Sequence, residues 1–258
     1  MIYKTLIVTE ENGIGLITLN RPTLMNALNA QMRAEITQAV RDLGQRMRVV
    51  VLTGQGRAFC SGQDLGDGAS INELDLGRIL REEYEPMLRA IYDCPVPVIS
   101  AVNGAAAGAG ANLALAADVV IASQSAVFLQ AFSRIGLIPD AGGTYWLPRL
   151  VGFARAMGQA LFADKVTADE AQSMGLIWAS IPDEGFDAEW RARAAQLANG
   201  PTLAYGAIKT ALRASLTSDL DAQLDTEARL QEEMGTTRDF REGVMAFLEK
   251  RPARFQGR

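Results

Sequence analysis

The sequence predicts an α/β protein with a helical carboxy-terminal part, and three observations carry that prediction. An apolar run, Pro97 to Val102 (PVISAV), turns on glycine into the alanine- and leucine-rich stretch Asn103 to Asp118 (NGAAAGAGANLALAAD), which reads as strand, tight turn and buried helix. A second apolar run, Val49 to Thr53 (VVVLT), is continuous rather than alternating, as strands buried on both faces of a parallel sheet are. Beyond Val151 the apolar spacing becomes mostly helical.

Taken in order, Tyr3 to Glu10 and Ile14 to Asn20 are β-rich runs joined by Glu-Asn-Gly, a hairpin signal, and Asn20-Arg21-Pro22 ends the second. Asn29 can cap a helix whose apolar positions Met32, Ile36, Ala39, Val40 and Leu43 keep helical spacing. The strand Val49 to Thr53 then leads into a glycine-rich turn, Gly54 to Leu65 (GQGRAFCSGQDL). Gly66 to Asp75 is polar and glycine-bearing, a surface lid or a plain linker. Leu76, Leu80, Tyr84, Met87 and Ile91 predict one helix that stops before Pro95. After the stretch Asn103 to Asp118, expected to run for about three helical turns, Asp118 to Ala122 is a short strand, with Asp118 expected to cap backbone amides. Helices are predicted over Phe153 to Phe162, Thr167 to Met174, Ala188 to Ala198, Pro201 to Leu216, Leu220 to Met234 and Asp239 to Lys250. Gly200-Pro201 marks the expected boundary between an α/β core, residues 1–199, and a helical region, residues 200–258.

Composition narrows the chemistry. The chain has 258 residues, 48% hydrophobic and 21% charged, with net charge −5, so it shows no basic footprint for nucleic acid. It has no apolar run of membrane-spanning length and no signal-peptide layout at its start, and a cytoplasmic location is the expectation. Cys60 and Cys94 are too few for a disulfide framework or a thiolate zinc site. There is no histidine, which removes Ser-His-Asp and Cys-His catalysis and any His-ligated metal. Proton chemistry therefore falls to a carboxylate in apolar surroundings, where burial raises the pKa.

Two glycine-rich turns follow strands, at Ser61 to Asp64 and Gly108 to Gly110, and both offer backbone amides. Gly104, Gly108 and Gly110 leave little bulk at a helix entrance, so those amides suit a carbonyl oxygen that becomes negative during reaction. The same small residues equally suit close packing of a helix on a sheet. Phosphate loops and dinucleotide sites are excluded, since the stretch has no lysine and Leu113 stands where the third glycine of GxGxxG belongs. Asp140 is the carboxylate that stands out, between Gly136-Leu137-Ile138-Pro139 and Ala141-Gly142-Gly143. It fits a desolvated base or the cap of a helix starting near Gly142.

These residues carry a resemblance. The motifs LNRP with Asn26-Ala27-Leu28, FCSGQDL, PVISAVNGAAAGAGANLALAADVVIAS, IGLIPDAGGTYWLPRLVG, KVTADEAQSMGLI and EGVMAFLEKRPARF occur in order. Through them the chain resembles the enoyl-CoA hydratase/isomerase (crotonase) superfamily over nearly its full length. The resemblance implies a spiral of ββα units, a helical region that builds trimers or paired-trimer hexamers, an acyl-CoA thioester as substrate, and no metal or redox cofactor, CoA being part of the substrate. It implies that the amides of Gln63 and Ala109 hold the thioester oxygen. It also implies that Ala27, Ser61 and Gly62 line CoA, with Gly108 beside them. Phe247 and Lys250 are placed by it at the nucleotide of a neighbouring subunit, packing and solvation of the last helix being the plain reading. Hydratases of this superfamily carry two glutamates that activate water. Asn112 and Phe132 stand at those positions in the acyl pocket here. An aspartate at position 140 instead resembles the dienoyl-CoA isomerases and the ring-1,2-epoxyphenylacetyl-CoA isomerases of phenylacetate degradation. The implied activity is conversion of 2-(1,2-epoxy-1,2-dihydrophenyl)acetyl-CoA to oxepin-CoA with Asp140 moving the proton. Double-bond isomerisation of linear acyl-CoAs, or acyl-CoA binding without catalysis, are the alternatives.

Overall fold

Asn12 and Gly13 both adopt positive φ, 51° and 79°, and close a two-residue hairpin between β1 (Leu6–Glu11) and β2 (Ile14–Leu19). Two successive positive φ angles are what a type I′ turn needs, which is why Asn-Gly sits there. This computed structural model describes residues 2–66 and 75–257. The expected lid or linker, Gly66 to Asp75, lies outside the described residues except for its two ends.

Helix α1 (Ala30–Arg46) starts at Asn29, whose side chain accepts the Met32 N–H at 2.9 Å. Its face of Met32, Ile36, Ala39, Val40 and Leu43 is buried as predicted. The chain then repeats one unit, two strands and a helical segment. The first repeat is β3 (Val49–Gly54) with β4 (Ala58–Cys60), the second β5 (Val98–Val102) with β6 (Ala105–Ala107), and the third β7 (Val119–Ser123) with β8 (Val127–Leu129). In every repeat the first strand joins one sheet and the second strand another. The larger sheet has the order β1-β2-β3-β5-β7-β10, and the smaller β4-β6-β8-β9, where β9 is Lys165–Thr167 and β10 is Ala179–Ile181. Strands β2, β3, β5, β7 and β10 run parallel, as do β4, β6 and β8.

The continuous apolar runs are buried on both sides. Val50 and Leu52 pack with the α1 face, whereas Val49, Val51, Ile99 and Ala101 pack with Phe186 and Trp190 of α8 (Asp183–Ala198). Asp118 takes the expected capping role, accepting the Val98 N–H at 2.8 Å. It also pairs with Lys209 and Arg213 of α9 (Thr202–Ala214), each at 2.7 Å, tying the sheet to the carboxy-terminal helices α10 (Leu220–Gly235) and α11 (Arg238–Leu248) through α9. Among the described residues no helix is long and apolar enough to cross a membrane.

Two expectations are corrected. The helix within Asn103 to Asp118 is shorter than three turns: Ala105–Ala107 forms β6, because its backbone pairs with β4 and β8, and α4 covers only Ala109–Leu115. The single helix over Leu76 to Ile91 is instead α2 (Leu76–Ile79), a π turn (Leu80–Tyr84) and α3 (Glu85–Tyr92). Pro86 lies just beyond that turn; it has no N–H to donate to the fourth residue back, and the wider turn accommodates its ring. The region beyond Val151 is mostly helical as expected, and it also contributes β9 and β10 to the sheets, each three residues long and therefore without a readable period.

Candidate active site

Strands β4 and β6 are parallel neighbours, pairing Ala58 with Ala105 and Cys60 with Ala106. The turns that leave their carboxyl ends must therefore lie side by side. Gly62, at φ +97°, brings them close: a Cβ there would fall 2.8 Å from the Ala107 carbonyl oxygen and 3.4 Å from the Ala109 nitrogen. Gly110 allows equally close approach, since a Cβ would lie 2.7 Å from the Cys60 Sγ. Burial pushes the Cys60 thiol up to about 12, so it is no nucleophile.

Each turn leaves backbone N–H groups without an acceptor. Leu28 N–H donates to the Gly62 carbonyl at 2.8 Å, and Asp64 N–H donates to the Leu28 carbonyl at 3.1 Å. This parallel bridge spends the groups flanking Gln63 and turns the N–H of Gln63 itself away from Leu28. Ala109 is the first residue of α4 after Gly108, so its N–H has no intrahelical acceptor. The two turns thus present adjacent donors, an arrangement able to hold an oxyanion.

Asp140 belongs to the next strand end. β8 pairs with β6, and the chain passes through a 3-10 turn (Ala131–Ile135) to reach Asp140 before α5 (Gly143–Val151). The capping alternative is decided by geometry. The cap of α5 is Gly142 with no side-chain bond, and Asp140 contributes its backbone carbonyl, which accepts the Gly143 N–H at 2.8 Å. Its carboxylate Oδ1 is buried with no hydrogen-bond partner. Desolvation raises its pKa from 3.8 to about 6.

The carboxylate faces a cavity of about 570 Å³ walled by Leu80, Tyr84, Leu88, Tyr92, Tyr145 and Trp146. Tyr92 and Trp146 have ring centroids 5.6 Å apart, and Tyr145 meets Trp146 edge-on at 4.7 Å. Glu85 also borders this cavity but is exposed. Among the described residues no group of three or more Asp, Glu or Cys side chains is placed to hold a metal ion.

The sequence matches the enoyl-CoA hydratase/isomerase family over residues 9–258. The chain belongs to the enoyl-CoA hydratase/isomerase family. It is 64% identical over the full length of both chains to a probable enoyl-CoA hydratase of Rhodobacter capsulatus. It is 44% identical to the 1,2-epoxyphenylacetyl-CoA isomerase of Escherichia coli, over 96% of this chain and 97% of that one. A putative enoyl-CoA hydratase/isomerase of Mycobacterium abscessus has the same fold, with TM-score 0.93 and 37% identity over 98% of this chain and all of the other.

The fold of this hydratase/isomerase chain gathers most of the residues singled out in the sequence and separates a few. Ala27, Ser61 and Gly62 adjoin Gln63 through the Leu28 bridge; Ser61 N–H donates to the Met25 carbonyl at 3.0 Å. Phe132 is buried, its ring 3.8 Å from where a Gly108 Cβ would be, and so shields the Ala109 turn. Asn112, expected to touch substrate, instead lies wholly buried behind Asp140. Its Nδ2 donates to the Asp140 carbonyl at 2.8 Å and its Oδ1 accepts from Gln130 Nε2 at 2.8 Å, so both polar atoms are engaged within the protein. Phe247 and Lys250 are exposed at the end of α11, and Phe247 borders a different groove, between α9, α10 and α11. Tyr84, Tyr92 and Gln130 were not legible as site residues. Tyr84 carries the helical spacing of a core position, and only the fold shows that this core face is also a cavity wall.

Proposed function

We propose that this family member is an acyl-CoA isomerase that converts 2-(1,2-epoxy-1,2-dihydrophenyl)acetyl-CoA to oxepin-CoA. The observation that carries the reading is Asp140, an unpaired carboxylate with a raised pKa in a cavity walled by aromatic rings. Near neutral pH most of it is ionised yet basic enough to accept a carbon-bound proton. The thioester oxygen rests between the N–H groups of Gln63 and Ala109, and Asp140 takes the proton alpha to the thioester. The resulting enolate forms a double bond to the substituted ring carbon as the carbon–carbon bond shared by the epoxide and the six-membered ring breaks; both C–O bonds are kept, so the ring becomes seven-membered. Protonated Asp140 then returns the proton to a ring carbon, so atoms and charge balance and no oxidant is needed. Donors of this kind typically supply roughly 3–4 kcal/mol of barrier lowering each.

Support comes from two further points. Asn112 and Phe132 replace the glutamates of hydratases, and neither can activate water. The relative from Escherichia coli is named for this epoxide isomerisation, while that from Rhodobacter capsulatus is named a probable enoyl-CoA hydratase. Movement of a proton between the alpha and gamma carbons of a linear enoyl-CoA uses the same base and is the second reading. Assembly as a homotrimer or hexamer, with Phe247 and Lys250 at a neighbouring subunit's CoA, belongs to the same proposal. Its support is an apolar set on the carboxy-terminal helices, where Leu212, Phe240, Phe247 and Leu248 are each more than half exposed.

The test assays wild type and Asp140→Asn on the ring epoxide, on a beta,gamma-enoyl-CoA and on crotonyl-CoA. Epoxide turnover that dominates and vanishes in the variant is expected. Hydration of crotonyl-CoA that survives the substitution would overturn the reading.

A further inference from the structure

Arg33 is a charged side chain buried inside α1, only 2% exposed, and it points at the turn that carries Gln63. Its Nη1 donates to two acceptors at once, the Leu28 carbonyl at 2.7 Å and Gln63 Oε1 at 2.9 Å. The Leu28 carbonyl is the same one that receives the Asp64 N–H, so a single guanidinium nitrogen clamps both strands of the bridge around Gln63. The remaining donors, Nε and Nη2, are satisfied by Glu83 Oε2 at 3.1 and 2.6 Å. A second donor reaches the Gln63 side chain from the π turn: Tyr84 O–H lies 2.5 Å from Gln63 Oε1. The Tyr84 ring lies under the Arg33 guanidinium, 4.9 Å from its centre, and borders the same cavity as Asp140.

Glu83 and Tyr84 are consecutive, and both contact this cluster. The π turn at Leu80–Tyr84, in which the Glu85 N–H reaches back to the Leu80 carbonyl, supplies the wider spacing that brings them there. A glutamine whose carbonyl oxygen is held by two donors cannot rotate, and its backbone is fixed by the bridge below it. Its own N–H then keeps one direction. Errors of about 1 Å in such a direction cost up to about 10²-fold in rate.

We infer that Arg33 and Tyr84 are positioning residues: by clamping Gln63 Oε1 they hold the Gln63 N–H on line with the thioester oxygen. This rests on the reading of Gln63 as an oxyanion donor. The Tyr84 hydroxyl then acts only through Gln63. Tyr84→Phe keeps the ring that walls the cavity and removes the clamp, while Gln63→Met keeps the length and removes the acceptor.

The experiment combines kinetics with the carbonyl stretching frequency of carbon-13-labelled cinnamoyl-CoA at saturation, a conjugated aromatic thioester used as probe. Wild type is expected to lower the frequency relative to free probe, because two donors polarise the carbonyl. Tyr84→Phe and Gln63→Met should each lose part of that lowering and about ten-fold in kcat, with KM changed less than about two-fold. The double variant should lose no more than Gln63→Met alone, since that substitution already removes the acceptor that the Tyr84 hydroxyl reaches. A full wild-type lowering retained in both variants, or losses that multiply in the double variant, would overturn the positioning role and leave the oxyanion reading intact. Absence of any lowering in wild type would overturn the oxyanion reading itself. Arg33→Lys keeps charge but cannot span Leu28, Gln63 and Glu83 together, and it should show the same loss of lowering.

Discussion

The side-chain amide of Asn112 donates to the backbone carbonyl of Asp140 at 2.8 Å, while Gln130 donates to the other end of that amide at the same distance. A residue on α4, the helix that begins with one of the proposed oxyanion donors, therefore braces the proposed base directly. The close contact is steric as well as polar: a Cβ on Gly143 would lie 3.0 Å from Asn112 Cγ, so only glycine lets α5 start this near α4.

Asn112→Asp removes the donor and sets a second carboxylate beside Asp140. Like charge disfavours ionisation, so the lower limb of the pH profile of kcat/KM should move up by about one unit. Asn112→Ala leaves the Gln130 amide without its acceptor and the Asp140 carbonyl with the Gly143 N–H alone, which costs about 2 kcal/mol of stability. An unmoved pH profile in Asn112→Asp would show that the brace has no bearing on the base.

Asp140 links activity and stability in opposite directions. Its pKa is near 3.8 when unfolded and about 6 when folded, because burial penalises the charged form. Folding stability from this group is then full below pH 3.8 and is lost as pH rises through 6, whereas the ionised base needed for turnover appears over that same rise. The rate should climb between about pH 5 and 7 and level off. Asp140→Asn should be inactive, yet more stable than wild type at pH 7 by about 1–2 kcal/mol after allowance for partial exposure, the gain disappearing near pH 4. Melting temperatures of the two proteins across that range check the sign.

Gly62 is predicted to be irreplaceable where Gly136 is not. Both have positive φ, +97° and +76°, but a Cβ on Gly62 would strike the Ala107 carbonyl, whereas Gly136 has nothing within 4 Å. Gly136→Ala should cost about 1 kcal/mol for its backbone conformation alone. Gly62→Ala should cost about 3 kcal/mol by urea unfolding and also reduce kcat, as the two turns are forced apart. Equal losses in both variants would mean that the close approach of the turns carries no weight.

Much of this protein was decided by its sequence. The Asn-Gly hairpin, the α1 face and the two unbroken apolar runs follow from local periodicity and turn chemistry, which act over a few residues and are legible without a fold. The absence of histidine and the uncharged flanks of Asp140 single out that carboxylate for the same reason. Tertiary structure decided the rest. Parallel pairing of β4 and β6 sets Gln63 and Ala109 just beyond adjacent strand ends, and the chain leaving their neighbour β8 brings in Asp140 through a 3-10 turn, a long-range register that no short window contains. It also separated roles that one sequence pattern leaves equal: Asn112 became a brace, Tyr84 a clamp and a cavity wall, and the Asp140 carboxylate an unpaired group instead of a helix cap. Those distinctions depend on which atoms remain without partners once the chain has packed, and that count exists only in three dimensions.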